Sequence, residues 1–321
     1  MATVSRCLNS PERVVAETRN RVSAAIQKLG YVPNFGARAL VARQTKTLGA
    51  IIPTLNNAIF ARFIETLQLE LSSAGRTLLL ASSGYDPVRE QEQIETLILR
   101  GVDGVMLTGE MRTADAYALL KRRGVRYVNT YVHHPGSSNP TIGFDNHGAM
   151  EQAVNYLYDQ GHRTIAMIGG ITADNDRARE RITGAEAFMK AKGLGLSRPY
   201  LLEREYEISA GRDGLRHLMA LPKPPTAVMC GNDVLAIGAM IEANALGIEV
   251  PTDLSIIGFD DLDLATEFPP GLTTIHAPLE EMGRRTAQYL IGDNESQGNT
   301  PHVELPTALV VRGSTGPAPT R

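Results

Sequence analysis

Two polar residues of this chain stand where a parallel α/β sheet binds its ligands. Asn232 and Asp260 closely follow apolar runs that are typical of buried strands, and ligands of such sheets bind beyond the carboxyl ends of the strands. A carboxamide and a carboxylate can each make two hydrogen bonds to neighbouring hydroxyl groups. Side chains of these two types can bind a polyhydroxy compound such as a sugar.

Both residues also have a purely structural interpretation. Asp260 stands beside Asp261 and near Asp263, a pattern that fits a helix cap or a solvated acidic cluster equally well. Asn232 precedes an apolar helical segment and would serve as its N-cap. From the residues alone, both alternatives stay open.

The sequence contains no pattern that predicts catalysis. No Ser-His-Asp order, Cys-His pair or Gly-x-Ser-x-Gly elbow is present. Gly193 and Gly195 do not open a helix after a strand, so they are a weak dinucleotide motif. His133 and His134 precede Pro135, a pattern typical of a turn rather than a metal site. We expect no enzyme activity, no metal and no cofactor.

The composition is that of an ordinary globular protein. The chain has 321 residues, 43% of them hydrophobic and 21% charged. It has no apolar run long enough to span a membrane and no apolar leader at its start. The two cysteines are far apart, which excludes a disulfide framework. These features predict a cytoplasmic protein without a membrane partner.

The elements that must position the site residues alternate between strands and helices after residue 46. Such alternation predicts parallel sheets covered by helices on both faces. One series ends near residue 144 and the next begins near residue 164, so we predict an α/β fold with two doubly wound lobes and a ligand cleft between them. The predicted strands are 47–52, 77–81, 102–107, 125–131, 164–168, 226–230 and 254–259, and the predicted helices include 60–73, 90–99 and 151–158.

Charge is distributed unevenly along the chain. Residues 1–46 carry eight basic and two acidic residues, a balance of +6, whereas the remaining 24 basic and 33 acidic residues give −9. A basic arm on an acidic body indicates contact with a polyanion at one end. A solvated terminal helix is the structural alternative.

A series of motifs in fixed order resembles the LacI family of bacterial transcriptional regulators over essentially the whole chain. This resemblance implies a helix-turn-helix head, a hinge helix and a periplasmic-binding-protein-like core whose effector changes operator affinity. The motifs lie at residues 2–9, 30–40, 102–105, 144–146, 161–166, 230–233, 250–261, 270–275, 305–307 and 311–314.

By this resemblance residues 2–9 belong to a recognition helix and residues 30–40 to a hinge helix. Arg6 would pair with guanine in the major groove, and Leu40 would wedge into the minor groove and kink the site. For Leu40 the structural alternative is a core residue. The implied DNA-binding residues are Ala2, Thr3, Ser5, Arg6, Asn9, Asn34, Ala37 and Leu40.

The resemblance also implies which residues line the effector cleft. Arg181 would hold the ligand, or a carboxylate or phosphate group of it, and Tyr206 would stack on the apolar face of a ring. Phe60 has a core alternative, and Asp145 with its neighbour Asn146 either contacts the ligand or only shapes the crossover. The implied effector-binding residues are Asn57, Phe60, Asp145, Arg181, Tyr206, Asn232 and Asp260.

The implied organisation is a partial head and hinge at residues 1–44 and an effector-binding core at 45–321. Lobe 1 is expected at about 45–160 plus 276–303, and lobe 2 at about 161–275 plus 304–316. The implied partners are palindromic operator DNA, if the head is complete, a small effector of carbohydrate type, and a second copy of the chain in a homodimer or tetramer.

The family pattern leads us to expect that Met1 is an internal methionine, because the first helix of a helix-turn-helix would precede Ala2. A short form that senses ligand without binding DNA is one alternative. A periplasmic-type sugar-binding protein is another, and the basic arm argues against it.

Overall fold

The computed structural model describes residues 2–9, 11–31, 44–292 and 302–320. The chain forms two compact units, Met1–Thr45 and Lys46–Arg321. Among the helices of the described ranges, none combines the length and the apolar character needed to cross a membrane.

The first unit is helical where it is described. Helix α1 spans Ala2–Asn9, a short 3₁₀ turn spans Pro11–Arg13, and α2 spans Ala16–Leu29. Val15 occupies the N-cap position of α2 and, being apolar, supplies no side-chain cap. The helix ends at Gly30 with φ of 57°, a left-handed conformation that glycine adopts without a steric penalty.

The second unit is built from two parallel-dominated sheets and the helices that cover them. In chain order the described strands are β1 Thr47–Ile52, β2 Thr77–Ser82, β3 Gly104–Thr108, β4 Arg126–Thr130, β5 Thr141–Gly143, β6 Ile165–Gly170, β7 Leu201–Arg204, β8 Ala227–Cys230, β9 Ser255–Asp260, β10 Thr273–His276, β11 His302–Glu304 and β12 Ala308–Val310. The described helices are α3 Ala58–Ser73, α4 Pro87–Leu99, α5 Ala114–Arg123, α6 Asn146–Asp159, α7 Asp176–Ala191, α8 Ile208–Met219, α9 Asp233–Ala245, α10 Asp263–Glu267 and α11 Leu279–Ile291.

Each sheet has six strands in the described part of the chain. Sheet 1 has the order β11-β5-β4-β3-β1-β2, with every pair parallel. Sheet 2 has the order β12-β10-β9-β8-β6-β7, and only β12 runs antiparallel to its neighbour. Strands β1, β6 and β9 are buried at every residue, which explains their continuous apolar sequence. The predicted α/β class with two doubly wound lobes is confirmed.

The lobe boundary differs from the expectation. Helix α6 packs against α7 and against strands of sheet 2, so lobe 2 begins near residue 146 instead of near residue 161. Helix α11 packs against α3 and sheet 1, which returns this part of the chain to lobe 1. The chain therefore crosses between the lobes at residues 144–145, 277–278 and 305–307.

The C-terminal end of the described chain is held on lobe 2. The backbone N–H of Ala318 donates to the carbonyl oxygen of Gln160 at 2.8 Å. The ring Nε2 of His162 lies 3.1 Å from the carbonyl oxygen of Gly316. These bonds hold Gly316 and Ala318 against lobe 2. Residues 292–300 are rich in Gly, Asn and Ser, a composition that predicts a surface loop, and all of them except Gly292 lie outside the described residues.

Candidate functional site

A polar cavity lies between the two lobes. Its walls come from both lobes, and most of its residues follow the carboxyl ends of strands, as predicted for parallel sheets. Lobe 1 contributes Asn57, Ile59, Phe60, Tyr85 and Tyr131, and lobe 2 contributes Asn175, Arg177, Arg181, Tyr206, Asn232 and Asp260.

Three asparagines on the cavity wall cap the helices that begin there. The Oδ1 atom of Asn57 accepts from the backbone N–H of Ile59 at 3.3 Å and so opens α3. Asn175 and Asn232 cap α7 and α9 in the same way. Three helix N-termini thus converge on the cavity, and their unpaired N–H groups make it favourable for electron-rich oxygen atoms.

Asn232 combines the two roles that the sequence left open. Its Oδ1 accepts from the backbone N–H of Leu235 at 2.9 Å, which is the capping role. Its Nδ2 is buried and has no hydrogen-bond partner among the described residues. An unsatisfied buried donor costs about 1–3 kcal/mol, so this amide is available to a ligand acceptor.

Arg181 is held rigidly by lobe 2. Its Nε donates to Asn146 Oδ1 at 2.9 Å and its Nη1 to the carbonyl oxygen of Gly231 at 2.6 Å. The guanidinium carbon lies 3.6 Å from the ring centroid of Phe259, a cation–π contact. Only the remaining Nη2 faces Asp260, at 3.8 Å from its Oδ1.

Asp260 is the least satisfied group of the cavity. Its side chain is almost fully buried, and its Oδ1 makes no hydrogen bond in the described part of the chain, since 3.8 Å to Arg181 is too long for one. Burial raises the pKa of the Asp260 carboxyl well above its usual range, although the charge of Arg181 opposes this. A ligand hydroxyl that donates to Oδ1 would remove this penalty.

The aromatic side of the cavity is built around Tyr131. Its ring packs edge-to-face on Phe60, with centroids 5.4 Å apart, so Phe60 belongs both to the core and to the cavity wall. Tyr206 reaches the cavity because residue 170 is glycine: a Cβ there would overlap the Tyr206 hydroxyl. Flat apolar faces next to polar groups suit the two faces of a sugar ring.

Backbone strain is concentrated at this cavity. Tyr85, Tyr131 and Asp260 have φ of 61°, 65° and 114°, values that residues with a Cβ rarely adopt. Such conformations persist only where the surrounding structure imposes them, and they cluster at functional sites.

The structure brings together six of the seven residues predicted for the effector cleft. Asp145 is the exception: its side chain is exposed and caps α6 by accepting from the backbone N–H of Gly148 at 3.0 Å. Its neighbour Asn146 is fully buried and contacts Arg181. The sequence analysis did not single out Ile59, Tyr85, Tyr131, Asn175 and Arg177. Tyr85 and Tyr131 closely follow strands β2 and β4, and that position was the available signal.

The predicted DNA-binding residues lie in the first unit. Thr3 and Arg6 are exposed on α1, three residues apart and hence on one face of the helix. Ala2, Ser5 and Asn9 belong to the same helix. The three hinge residues Asn34, Ala37 and Leu40 lie outside the described residues.

Comparison with known proteins agrees with this geometry. Residues 1–34 match the family model "Bacterial regulatory proteins, lacI family", and residues 154–315 match "Periplasmic binding protein-like domain". The chain is 33% identical over 320 residues to the HTH-type transcriptional repressor CytR of Escherichia coli, covering 99% of this chain and 93% of that protein. It is 32% identical over 297 residues to the ribose operon repressor of Escherichia coli, covering 90% and 88%.

A solved structure has the same architecture. The transcriptional regulator CelR in complex with cellobiose superposes with a TM-score of 0.74 at 29% identity, covering 98% of this chain and 95% of that chain. The present chain belongs to the LacI family and is an effector-controlled, DNA-binding regulator of transcription.

Proposed function

We propose that this protein is a transcriptional repressor that binds palindromic operator DNA as a homodimer or tetramer in the cytoplasm. Its effector is a small neutral carbohydrate that binds in the cavity between the lobes. The similarity to CytR, a transcriptional repressor, and to CelR in complex with cellobiose supports both parts of the proposal.

One observation carries the choice of ligand. The cavity presents a buried acceptor, Asp260 Oδ1, and a buried donor, Asn232 Nδ2, neither with a partner among the described residues. A hydroxyl group both donates and accepts, so a polyhydroxy ligand can satisfy both atoms. The aromatic faces of Phe60, Tyr131 and Tyr206 provide the apolar contact that a sugar ring needs.

The charges of the cavity favour a neutral ligand over a sugar phosphate or a sugar acid. Arg177 Nη1 lies 2.9 Å from Asp176 Oδ1, so its charge is compensated within lobe 2. Two of the nitrogens of Arg181 are engaged by protein oxygens, and the third faces Asp260. An anionic ligand would meet the buried carboxyl group of Asp260, and among the described cavity residues each cation is already engaged by protein oxygens.

The proposed link to DNA follows from the position of the cavity. Because both lobes contribute to the cavity, a ligand contacts both only when they are closed, so binding shifts the population toward the closed state. That shift would change operator affinity, a coupling of two sites. The proposed operator contacts are made by Arg6 on base edges, and by Thr3, Ser5 and Asn9 on phosphates. Ala2 would add an apolar base contact, and the hinge residues Asn34, Ala37 and Leu40 would bind the minor groove.

Isothermal titration calorimetry of the full chain tests the ligand class. The panel comprises neutral mono- and disaccharides, nucleosides, sugar phosphates and aldonic acids. We expect a neutral member to bind and Asp260→Asn to weaken it at least tenfold, whereas the exposed control Asp115→Asn binds as wild type. Binding of anionic members alone, or equal affinity in Asp260→Asn, would overturn the assignment.

A further inference from the structure

We propose that His134 is a positioning residue that clasps the two lobes in their closed arrangement, so that lobe closure takes up a proton. The inference rests on the proposed function, since it concerns how the same cavity closes. His134 lies outside the cavity wall, so its role can be tested without any ligand.

His134 bridges the lobes through both of its ring nitrogens. It lies in lobe 1, between β4 and β5, and its Nδ1 is 2.6 Å from Glu110 Oε2 of the same lobe. Its Nε2 contacts Glu180 on α7 of lobe 2. Both partners are carboxylates, and only the protonated imidazolium can donate from both nitrogens at once.

Glu110 is fixed in place to receive the histidine. Its Oε1 accepts from the Ser137 hydroxyl and from Asn139 Nδ2, the latter at 3.1 Å. Burial would raise the pKa of Glu110, but the hydrogen bonds from Ser137, His134 and Asn139 outweigh it and lower the pKa. Glu110 is thus ionised wherever His134 titrates.

The other charged groups at this junction do not replace the clasp. On α7, Asp176 Oδ2 accepts from the backbone N–H groups of Glu110 and Met111 at 2.5 and 3.0 Å, a second link between the lobes. Arg177 is paired with Asp176, and Arg179 Nη2 lies 3.4 Å from Met111 Sδ.

On lobe 1, His133 Nδ1 lies 3.4 Å from Glu304, and Arg112 Nη2 donates to the carbonyl oxygen of Gly109. Among the described residues, none of these cations bridges Glu110 and Glu180. The two carboxylates would repel each other across the lobes without a cation between them.

The proton linkage has a definite sign. The hydrogen bond that His134 donates to Glu180, reinforced by Glu110 and only partly opposed by burial, raises the pKa of His134 from 6.5 to about 9 in this closed arrangement. The clasp therefore stabilises closure fully below about pH 6.5 and loses its effect as the pH rises through about 9. Because His134 is partly exposed, we expect the closed-to-open ratio to fall roughly tenfold to 100-fold over that range.

Distances between the lobes test the clasp without ligand. Spin labels are placed by Asp115→Cys on lobe 1 and Glu205→Cys on lobe 2 in a Cys7→Ser background, because both positions are exposed and the remaining Cys230 is fully buried. Pulsed electron double resonance then gives the distance distribution of the full chain from pH 6 to pH 10. We expect a narrow, short distribution at pH 7 that broadens to longer distances near pH 9.

Three variants complete the test. His134→Gln should show the longer distribution at every pH, and Glu180→Gln, which removes only the lobe 2 partner, should do so as well if the first variant folds poorly. His133→Gln is the matched control and should behave as wild type, since its partner Glu304 is in lobe 1. A wild-type distribution that does not change between pH 7 and pH 10, or variants that match wild type at pH 7, would overturn the clasp. Failure of every sugar to bind would contradict the proposed function and leave this result unaffected.

Discussion

Asn146 joins Arg181 to the point where the chain first crosses from lobe 1 to lobe 2. Its Oδ1 accepts from Arg181 Nε at 2.9 Å, and its Nδ2 donates to the carbonyl oxygen of Tyr131 at 2.8 Å. Tyr131 and Arg181 line the cavity from opposite lobes. One carboxamide therefore connects the crossover to both walls of the ligand site.

Asn146→Ala should destabilise the protein by about 2–4 kcal/mol, since it leaves a buried guanidinium N–H and a buried carbonyl without partners. Urea unfolding followed by circular dichroism measures this change. Asn155→Ala is the matched control, because Asn155 is exposed and its Nδ2 donates to Asp159 Oδ2 at 3.3 Å on the same helix. It should stay within about 0.5 kcal/mol of wild type. If both variants are equally stable, the hydrogen bonds of Asn146 do not stabilise the folded protein.

Gly170→Ala should weaken effector binding at least tenfold, because the new methyl group overlaps the Tyr206 hydroxyl and must displace that ring. Titration calorimetry with the sugar found to bind wild type measures the loss. Gly195→Ala provides the control, since an added Cβ there meets nothing within 4 Å. If Gly170→Ala binds as tightly as wild type, Tyr206 does not contact the ligand.

Asp233 should make the protein less stable as the pH rises from about 5 to about 8. Burial raises its pKa from 3.8 to about 7, despite hydrogen bonds from Thr274 and from the backbone of Leu262. The folded state then holds a proton that the unfolded state has released, so the free energy of unfolding falls with pH over this window, by up to about 3 kcal/mol.

Thermal unfolding of Asp233→Asn checks this dependence. The variant should show a flatter profile between pH 5 and pH 8 than wild type, because its amide does not titrate. Asp253→Asn, an exposed aspartate on the same lobe, should retain the wild-type profile. Parallel profiles for wild type and Asp233→Asn would contradict the assignment.

Leu40→Ala should reduce both operator affinity and DNA bending, because an apolar wedge that unstacks a base step is lost. Arg6→Ala should cost about 1–3 kcal/mol and relax base preference at one position of each half-site. Fluorescence anisotropy on a palindrome selected from random DNA, with a salt series, measures both effects. Retained bending in Leu40→Ala would exclude the wedge.

The alternation of apolar strands and amphipathic helices was sufficient to predict the fold class. The sequence analysis did not include β5, β7, β10, β11 and β12, since strands of three or four residues are defined by their tertiary pairing and carry little pattern of their own. It also assigned α6 to the wrong lobe, because an amphipathic helix shows that one face is buried but not against which sheet.

Only part of the candidate site could be predicted, because a local sequence pattern does not show which elements contact each other in the fold. Asn232, Asp260 and Arg181 were identified through the family resemblance, and the first two also follow recognisable strands. His134 was interpreted as part of a turn, and its two carboxylate partners lie 24 and 46 residues away in the sequence. Contacts of that kind depend on how the lobes face each other, which no local pattern encodes.

The most direct test of the account measures operator affinity of wild type and Asp260→Asn with and without the carbohydrate identified by calorimetry. We predict that the sugar changes the affinity of wild type about 5-fold to 150-fold, the usual range of allosteric coupling. It should leave Asp260→Asn unchanged, and both proteins should bind DNA equally without sugar. If no carbohydrate alters the operator affinity of wild type, or if the response persists in Asp260→Asn, the cavity between the lobes does not control DNA binding.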